Sequence, residues 1–393
     1  MKHPPPVGTL VVILLLALFS LSSLGCQPQA SAGPGMQLLY VSSEGSLVLA
    51  DIGDPPGARI TLKELHHVGE GSVGASWSPD GERIMIRHRE TLDIMDLWVY
   101  EVSSGEATPL LQGVEGAIET CWSPDGERII VRYQETSDGL DLWLYEVSSG
   151  EMTQIVQGYD VFGYGDIDWL PDGEHFVFDY GTGVSRGLVV FKIGEAVPAT
   201  TLGYFGWHAW PPAGNQIAYR RERVVDPPTP MGSGESGDVA IYDIATGETT
   251  TLVEGTSVFV YYPEAWPAPD RLLVWRHSVR ASTTKRELLV YNPQDPESTP
   301  QPLEALPWHM DRDAIVEMVP PDLSEAFESN GQYSVSGDLT HVAISVPSSH
   351  LRDAEVWVLS ADGSQAFKVA DDGQHGGRPL WRPGKDQLTS GNP

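Results

Sequence analysis

A turn motif led by tryptophan returns along this chain of 393 residues and constrains the fold more than any other feature. Residues 77–84 and 122–129 both read Trp-Ser-Pro-Asp-Gly-Glu-Arg-Ile, and weaker copies follow. A period of about 45 residues indicates one supersecondary unit stacked on copies of itself. The repeated residues are Trp77, Asp80, Gly81, Trp122, Asp125, Gly126, Trp169, Asp172, Gly173, Trp210, Trp266 and Trp381.

Each repeat contains four short apolar runs. In the second copy they cover residues 117–122, 128–133, 140–147 and 152–156. Runs rich in Val, Ile, Tyr and Trp between Gly, Pro, Asp and Ser favour strands, and Pro-Asp-Gly is typical of a turn. Because no stretch shows a sustained 3.6-residue period, helices are expected to be nearly absent. Four antiparallel strands per repeat predict an all-β fold, a β-propeller of four-stranded blades.

The two ends of the repeat region predict how the ring closes. Residues 37–42, 46–52 and 59–65 supply three strands without a tryptophan-containing first strand, and residues 376–381 supply that strand alone. Together they complete one composite blade, which removes an exposed sheet edge. The predicted count is therefore seven blades.

The motif also resembles that of a known family. Trp-Ser-Pro-Asp-Gly-x-x-Ile, followed by an apolar strand and an Asp-Leu-Trp-Val-Tyr type of strand, resembles the repeat of TolB-like β-propellers. The same repeat builds the propeller domains of prolyl-oligopeptidase-type peptidases. The resemblance covers about residues 36–388. It implies a propeller fold and, by analogy with TolB, a structural role in an envelope complex.

The N-terminus has the pattern of an export signal. An apolar run over residues 7–24 precedes Cys26, and Gly before Cys resembles a bacterial lipoprotein cleavage box. Two alternatives remain open, namely cleavage at Ala30-Ser31-Ala32 and an uncleaved anchor. The expected location is the bacterial cell envelope, where lipid at Cys26 anchors the protein. The alternative is a secreted, soluble protein. The predicted organisation is 1–25 signal peptide, 26–35 tether, 36–388 propeller and 389–393 disordered tail.

The charge of the chain restricts its partners. The formal net charge is −30, which repels phosphate backbones and disfavours nucleic acid as a ligand. Contact with a membrane is expected only through the N-terminal anchor. Neither a cofactor nor a resident metal is expected, and the protein is expected to be monomeric.

The cations of this acidic chain are unevenly placed. Half of the 24 Lys and Arg residues fall in the predicted connections between second and third strands, which emerge beside the aromatic connections between blades. Arg with Tyr or Trp is the composition of interaction hot spots, and Arg grips carboxylates with two parallel bonds. This favours a protein, peptide or anionic glycan ligand; alternatively, the arginines only pair with nearby Asp and Glu. The candidate binding residues are Arg220, Arg221, Arg223, Arg276, Arg280, Tyr164, Tyr204, Trp207, Tyr261 and Trp308.

Two long connections add to this predicted binding face. Residues 221–237 are rich in Pro and Gly and are expected to be mobile. Residues 304–330 form the largest insertion, and long ordered loops in compact folds are often functional. Disorder of this insertion is the alternative.

Catalytic motifs are weak. Gly183-Val184-Ser185-Arg186-Gly187 matches a nucleophile elbow, but a predicted strand follows where that motif needs a helix, so we interpret it as a chance match. The similar TolB-like oligogalacturonate lyases imply one enzymatic alternative, a metal-assisted polysaccharide lyase or hydrolase. Its first candidates are the innermost-strand residues His208, Glu119, Asp166 and Glu264; a hydrated acidic channel is the simpler interpretation. The leading hypothesis is a non-catalytic binding scaffold.

Overall fold

We analysed a computed structural model of the chain. It describes residues 36–53, 56–57, 60–67, 72–89, 94–115, 119–133, 140–159, 167–182, 185–195, 199–202, 208–212, 214–224, 235–278, 286–303, 312–336, 338–348 and 353–383. The predicted signal peptide, tether and tail lie outside these residues. Within them, the strands form seven four-stranded antiparallel sheets, which confirms the predicted all-β, seven-bladed propeller.

The first three blades contain the composite sheet and the two closest copies of the motif. Blade 1 consists of β1 (Gln37–Val41), β2 (Ser46–Asp51), β3 (Thr61–His67) and the C-terminal strand β28 (Leu380–Trp381). Blade 2 consists of β4 (Ser72–Trp77), β5 (Arg83–Arg89), β6 (Ile94–Glu101) and β7 (Ala107–Glu115). Blade 3 consists of β8 (Glu119–Trp122), β9 (Arg128–Tyr133), β10 (Leu140–Glu146) and β11 (Glu151–Tyr159).

The remaining four blades follow in chain order. Blade 4 consists of β12 (Ile167–Trp169), β13 (His175–Thr182), β14 (Ser185–Lys192) and β15 (Thr200–Leu202). Blade 5 consists of β16 (His208–Ala209), β17 (Gln216–Val224), β18 (Glu235–Asp243) and β19 (Thr249–Val253). Blade 6 consists of β20 (Phe259–Ala268), β21 (Arg271–Ser278), β22 (Arg286–Tyr291) and β23 (Gln301–Leu303). Blade 7 consists of β24 (Gln332–Val335), β25 (His341–Pro347), β26 (Asp353–Ser360) and β27 (Ala366–Gln374).

The C-terminal strand closes the ring as the sequence predicts. β28 pairs with β1 in antiparallel register, Leu38 opposite Trp381 and Leu39 opposite Leu380. The strand is shorter than the predicted segment 376–381, because the chain forms a turn before Leu380. The N-terminal and C-terminal segments thus share one hydrogen-bonded sheet.

The core lies between the blades, because successive side chains of a strand point to opposite faces of its sheet. In β9, Ile130 packs in a cluster with blade 4 residues, whereas its neighbours Ile129 and Val131 pack with blade 2. The motif tryptophans belong to the same layers. Trp77 is buried between blades 1 and 2, and Trp122 is buried between blades 2 and 3.

The motif turn is closed by its aspartate. The Asp80 carboxylate accepts the Ser78 hydroxyl at 2.5 Å and the Glu82 backbone N–H at 2.9 Å. Gly81 has φ of 70°, a left-handed conformation that glycine adopts without a side-chain clash. Since the turn follows the first strand, it defines a lower face. The connections from second to third strands and from blade to blade lie on the opposite, upper face.

The large insertion contains two short helices. Helices α1 (Arg312–Met318) and α2 (Pro321–Asn330) occupy most of the segment for which order and disorder were both open. Ile315 and Phe327 are fully buried against Val342 and Ile344 of blade 7. Two short helices agree with the expectation that helices are nearly absent, and they show that part of the insertion is ordered. No helix in the described part of the chain is long and apolar enough to span a membrane.

Candidate functional site

The structure places the predicted binding residues differently from their expected loops. Arg220 and Arg221 lie inside β17, which extends to Val224, and β18 starts at Glu235. The connection expected to be mobile over 221–237 is therefore shorter than expected, and residues 225–234 lie outside the described structure. Arg276 lies inside β21. Arg280, Tyr164, Tyr204, Trp207 and Trp308 lie outside the described residues, as does the side chain of Arg223 in β17.

Tyr261 is also not an open aromatic side chain. It lies in β20, is 8 % exposed, and packs in the hydrophobic cluster between blades 5 and 6. The sequence pattern suggested a ring on a connection, whereas Tyr261 pairs with Arg276 in the register of β20 and β21. The Tyr261 ring therefore packs between the two blades.

Two of the candidate arginines have acidic partners. The Arg221 guanidinium lies 3.4 Å from a carboxylate oxygen of Asp238, which is fully buried, and donates to the Thr251 hydroxyl at 2.7 Å. Arg276 forms an ion pair with Glu287 and lies over the Phe259 ring at 4.9 Å. For these two side chains, the structure therefore shows the alternative in which the arginines pair with nearby Asp and Glu.

Arg220 contacts an aromatic ring. Its guanidinium lies 4.8 Å from the centre of the Tyr262 ring, which contacts His277 edge-on at 5.0 Å. Burial, together with the charges of Arg286 and Arg220, lowers the pKa of His277 to about 4. His277 is therefore neutral at pH 7. The positive charge at this point of blades 5 and 6 belongs to the arginines.

Arg220 has counterparts in two other blades. Arg87, Arg132 and Arg220 are each the fifth residue of the second strand of their blade, and each is the tenth residue after a motif tryptophan. They share a sheet face with Met85, Ile130 and Ala218, which pack against the next blade. This shared position was missed in the sequence, although the constant spacing from tryptophan was the signal that could have revealed it.

Each of these three guanidinium groups lies against an innermost strand. The Arg87 guanidinium lies beside Gly74 of β4, Arg132 forms an ion pair with Glu119 of β8, and Arg220 stacks on Tyr262 of β20. Innermost strands line the central channel of a propeller. The arrangement therefore places one arginine of blades 2, 3 and 5 next to a channel-lining strand, on the upper side of the motif turns.

The electrostatics of the pair in blade 3 differ from those of an exposed salt bridge. Burial raises the pKa of the Glu119 carboxyl, and the charge and hydrogen bond of Arg132 offset only part of that rise. Arg132 itself is 6 % exposed. This pair is a desolvated one, in which each group depends on the other.

The metal-site candidates have separate partners. His208 lies 3.5 Å from Asp168 and stacks on Trp210 at 5.2 Å. Glu264 accepts the indole N–H of Trp275 at 3.1 Å, and burial raises the pKa of its carboxyl. Asp166 lies outside the described residues. Among the side chains that the structure does describe, no three His, Cys, Asp or Glu come together as a metal site.

Comparisons with known proteins identify the fold. No protein-family model matches the chain. No curated protein matches it. The tricorn protease structure is similar over 92 % of this chain, with a TM-score of 0.50 and 11 % identity, but this chain spans only 35 % of it. That likeness shows a shared fold alone.

Two smaller solved structures are also similar. TolB from Acinetobacter baumannii has a TM-score of 0.42 and 15 % identity, with 90 % of this chain and 68 % of that chain covered. An oligogalacturonate lyase from Vibrio parahaemolyticus has a TM-score of 0.45 and 12 % identity, with 87 % and 86 % covered. The seven four-stranded sheets, with their closing strand, fit a β-propeller.

Proposed function

We propose that this propeller is a non-catalytic binding scaffold of the bacterial cell envelope, and that it takes an acidic segment of a protein or peptide at its upper face. The observation that carries the proposal is the shared position of Arg87, Arg132 and Arg220, each against an innermost strand. Rigid scaffolds present binding groups in this way, whereas the chemistry of the site determines the ligand.

The net charge of the chain makes this placement informative. The chain has 24 Lys and Arg against 54 Asp and Glu, so most of the surface repels an anion. Cations gathered in a cleft with low-dielectric walls focus the local field and attract the opposite charge. A guanidinium also holds a carboxylate in a planar, two-bond arrangement that a lysine cannot reproduce.

The aromatic contacts favour a peptide over a glycan. A sugar packs against the open face of an aromatic ring, but Arg220 covers one face of Tyr262 and Arg276 covers one face of Phe259. Tyr261 is buried between blades. The described rings near the arginines therefore offer less stacking surface than their number in the sequence suggests, while carboxylate recognition by arginine is unaffected.

The location belongs to the same proposal. Export through the signal at 1–25, lipidation at Cys26 and a tether over 26–35 would hold the propeller domain 36–388 at the envelope. Labelled palmitate should enter the wild-type protein in a bacterial host and be absent from Cys26→Ser. Equal labelling of both proteins, or labelling of neither, would reject lipidation and leave the two other processing routes.

The binding proposal is tested with defined ligands. A fluorescent decamer of glutamate should bind the wild-type protein, bind more weakly as salt is added, and outcompete both a glutamine decamer and polygalacturonate. The double variant Arg87→Gln with Arg220→Gln should weaken binding by at least about tenfold, equivalent to 1.4 kcal/mol. Lys192→Gln, which removes a lower-face cation paired with Glu174, is the matched control and should bind as the wild type.

Three results would contradict the proposal. They are equal binding of the glutamate and glutamine decamers, stronger binding at high salt, and preference for polygalacturonate over the peptide. Arg221 is left unchanged in this experiment, because its removal would take away an ion-pair partner of the buried Asp238 carboxylate and change folding as well as binding.

A further inference from the structure

The innermost strands of blades 2 and 3 differ at the position that faces the second-strand arginine. In blade 3, Glu119 lies opposite Arg132 in the register of β8 and β9, and the two form an ion pair. In blade 2 the corresponding register pair is Gly74 and Arg87. The same arginine position therefore faces a carboxylate in one blade and a residue without a side chain in the next.

The Arg87 guanidinium lies directly against Gly74. A Cβ atom added to Gly74 would lie 3.4 Å from Nη2 and 3.5 Å from Nε of Arg87, which is ordinary contact. Gly74 is not among the glycines with positive φ, so its backbone does not require glycine. The absence of a side chain at this point therefore has no conformational cause, and it lets the guanidinium lie against the strand backbone.

The Arg87 guanidinium is largely removed from solvent. Burial lowers its pKa, the charge of Glu119 raises it by less, and the neighbouring Arg89 lowers it again. Among the side chains that the structure describes, no carboxylate lies within ion-pair distance of Arg87. A desolvated cation beside a second cation favours the arrival of an anion.

We propose that the Arg87 guanidinium, which lies against Gly74 of the innermost strand, is a binding site for the carboxylate of a glutamate or aspartate side chain from a bound protein segment. The incoming carboxylate supplies to Arg87 the ion pair that Glu119 supplies to Arg132 in blade 3. Blade 3 favours a side-chain carboxylate as the ligand, because there the protein itself satisfies the arginine with a glutamate that extends from a backbone strand. The inference rests on the proposed function for the origin of the ligand, but its site is tested separately.

The first test supplies the carboxylate from within the chain. Gly74→Glu should raise the melting temperature relative to Gly74→Gln, since only the former provides the charge that Arg87 lacks. The same two substitutions in an Arg87→Gln background should melt together, which isolates the pairwise effect. Gly74→Ala controls for the loss of glycine. Equal melting temperatures for Gly74→Glu and Gly74→Gln in the presence of Arg87 would overturn the site.

The second test uses a short external probe. N-acetyl-Ala-Glu-Ala-amide should shift the NMR signal of the Arg87 Nε–H group, which is assigned by its absence in Arg87→Gln. The shift should persist in Gly74→Ala, and the affinity should fall at least about tenfold in Gly74→Glu. N-acetyl-Ala-Ala with a free C-terminus distinguishes a terminal carboxylate from a side-chain carboxylate, and galacturonate distinguishes a sugar acid. A better response to either of these two ligands would overturn the assignment to a side chain.

The two proposals fail in different ways. If the glutamate decamer binds the protein but no probe shifts the Arg87 signal, the scaffold proposal survives and this site is wrong. If the short peptide shifts the Arg87 signal but the decamer does not bind, the site stands and the upper-face scaffold is wrong.

Discussion

Blades 2 and 3 share the same eight-residue motif, at 77–84 and 122–129, yet its side chains meet different partners. The indole N–H of Trp77 donates to the Leu380 carbonyl at 3.3 Å, across the boundary with blade 1. Trp169 and Trp381 donate in the same way to Cys121 and Ser334 of the preceding blade. The indole N–H of Trp122 is buried with no acceptor among the described residues. Equal sequence therefore does not ensure equal hydrogen bonding.

The lower face shows the same dependence on neighbours. Arg83 of blade 2 donates to the Gly126 carbonyl at 3.2 Å, and Arg128 of blade 3 donates to Gly173 at 2.6 Å. Each arginine thus links its blade to the motif turn of the next. The Gly81 carbonyl of blade 2 accepts instead from Arg382 at 2.8 Å. The strand of the composite blade that corresponds to β5 and β9 is β1, which begins with Gln37 in place of the arginine.

The largest effect should come from removing the closing strand. Deletion of residues 374–393 removes β28, the acceptor of Trp77 and the Arg382 bond to Gly81. We expect the melting temperature to fall by at least about 10 °C. Hydrogen exchange should show lost protection at 37–41 and 72–77 before 119–122. An unchanged melting temperature would mean that β28 does not hold the ring.

A smaller effect should follow from making blade 3 resemble blade 2. Glu119→Gly removes the carboxylate partner of Arg132, so unfolding should become easier by about 1–3 kcal/mol, measured by urea denaturation. The same change should open a second carboxylate site, and titration with N-acetyl-Ala-Glu-Ala-amide should then shift the Nε–H signals of both Arg87 and Arg132. Glu119→Gln, which keeps the space filled, is the control. If the Arg132 signal does not shift in Glu119→Gly, the arginines of the two blades are not equivalent carboxylate sites.

The smallest effect concerns the two tryptophans. Trp77→Phe and Trp122→Phe remove similar volume, but only Trp77 loses an indole hydrogen bond among the described contacts. Trp77→Phe should therefore lower the free energy of unfolding by about 1 kcal/mol more than Trp122→Phe. Urea denaturation of both variants measures this difference. Equal losses would show that the Leu380 acceptor contributes nothing.

The fold was more predictable than the site for a physical reason. The Pro-Asp-Gly turns and the apolar runs report local backbone preferences, and repetition makes each copy support the others. Blade number and ring closure followed from that repetition. The extent of strands β17 and β18 did not, because the hydrogen bonds of Arg221 with Asp238 and Thr251 connect residues distant in the chain.

The amino-acid sequence alone determined the all-β propeller, its seven blades and the composite blade that closes the ring, because period and turn chemistry are local properties. Only the tertiary structure decided which arginines are neutralised. Arg132 faces Glu119, while Arg87 faces Gly74. That difference depends on strand register, which pairs residues more than ten positions apart and sets the electrostatic environment of each cation.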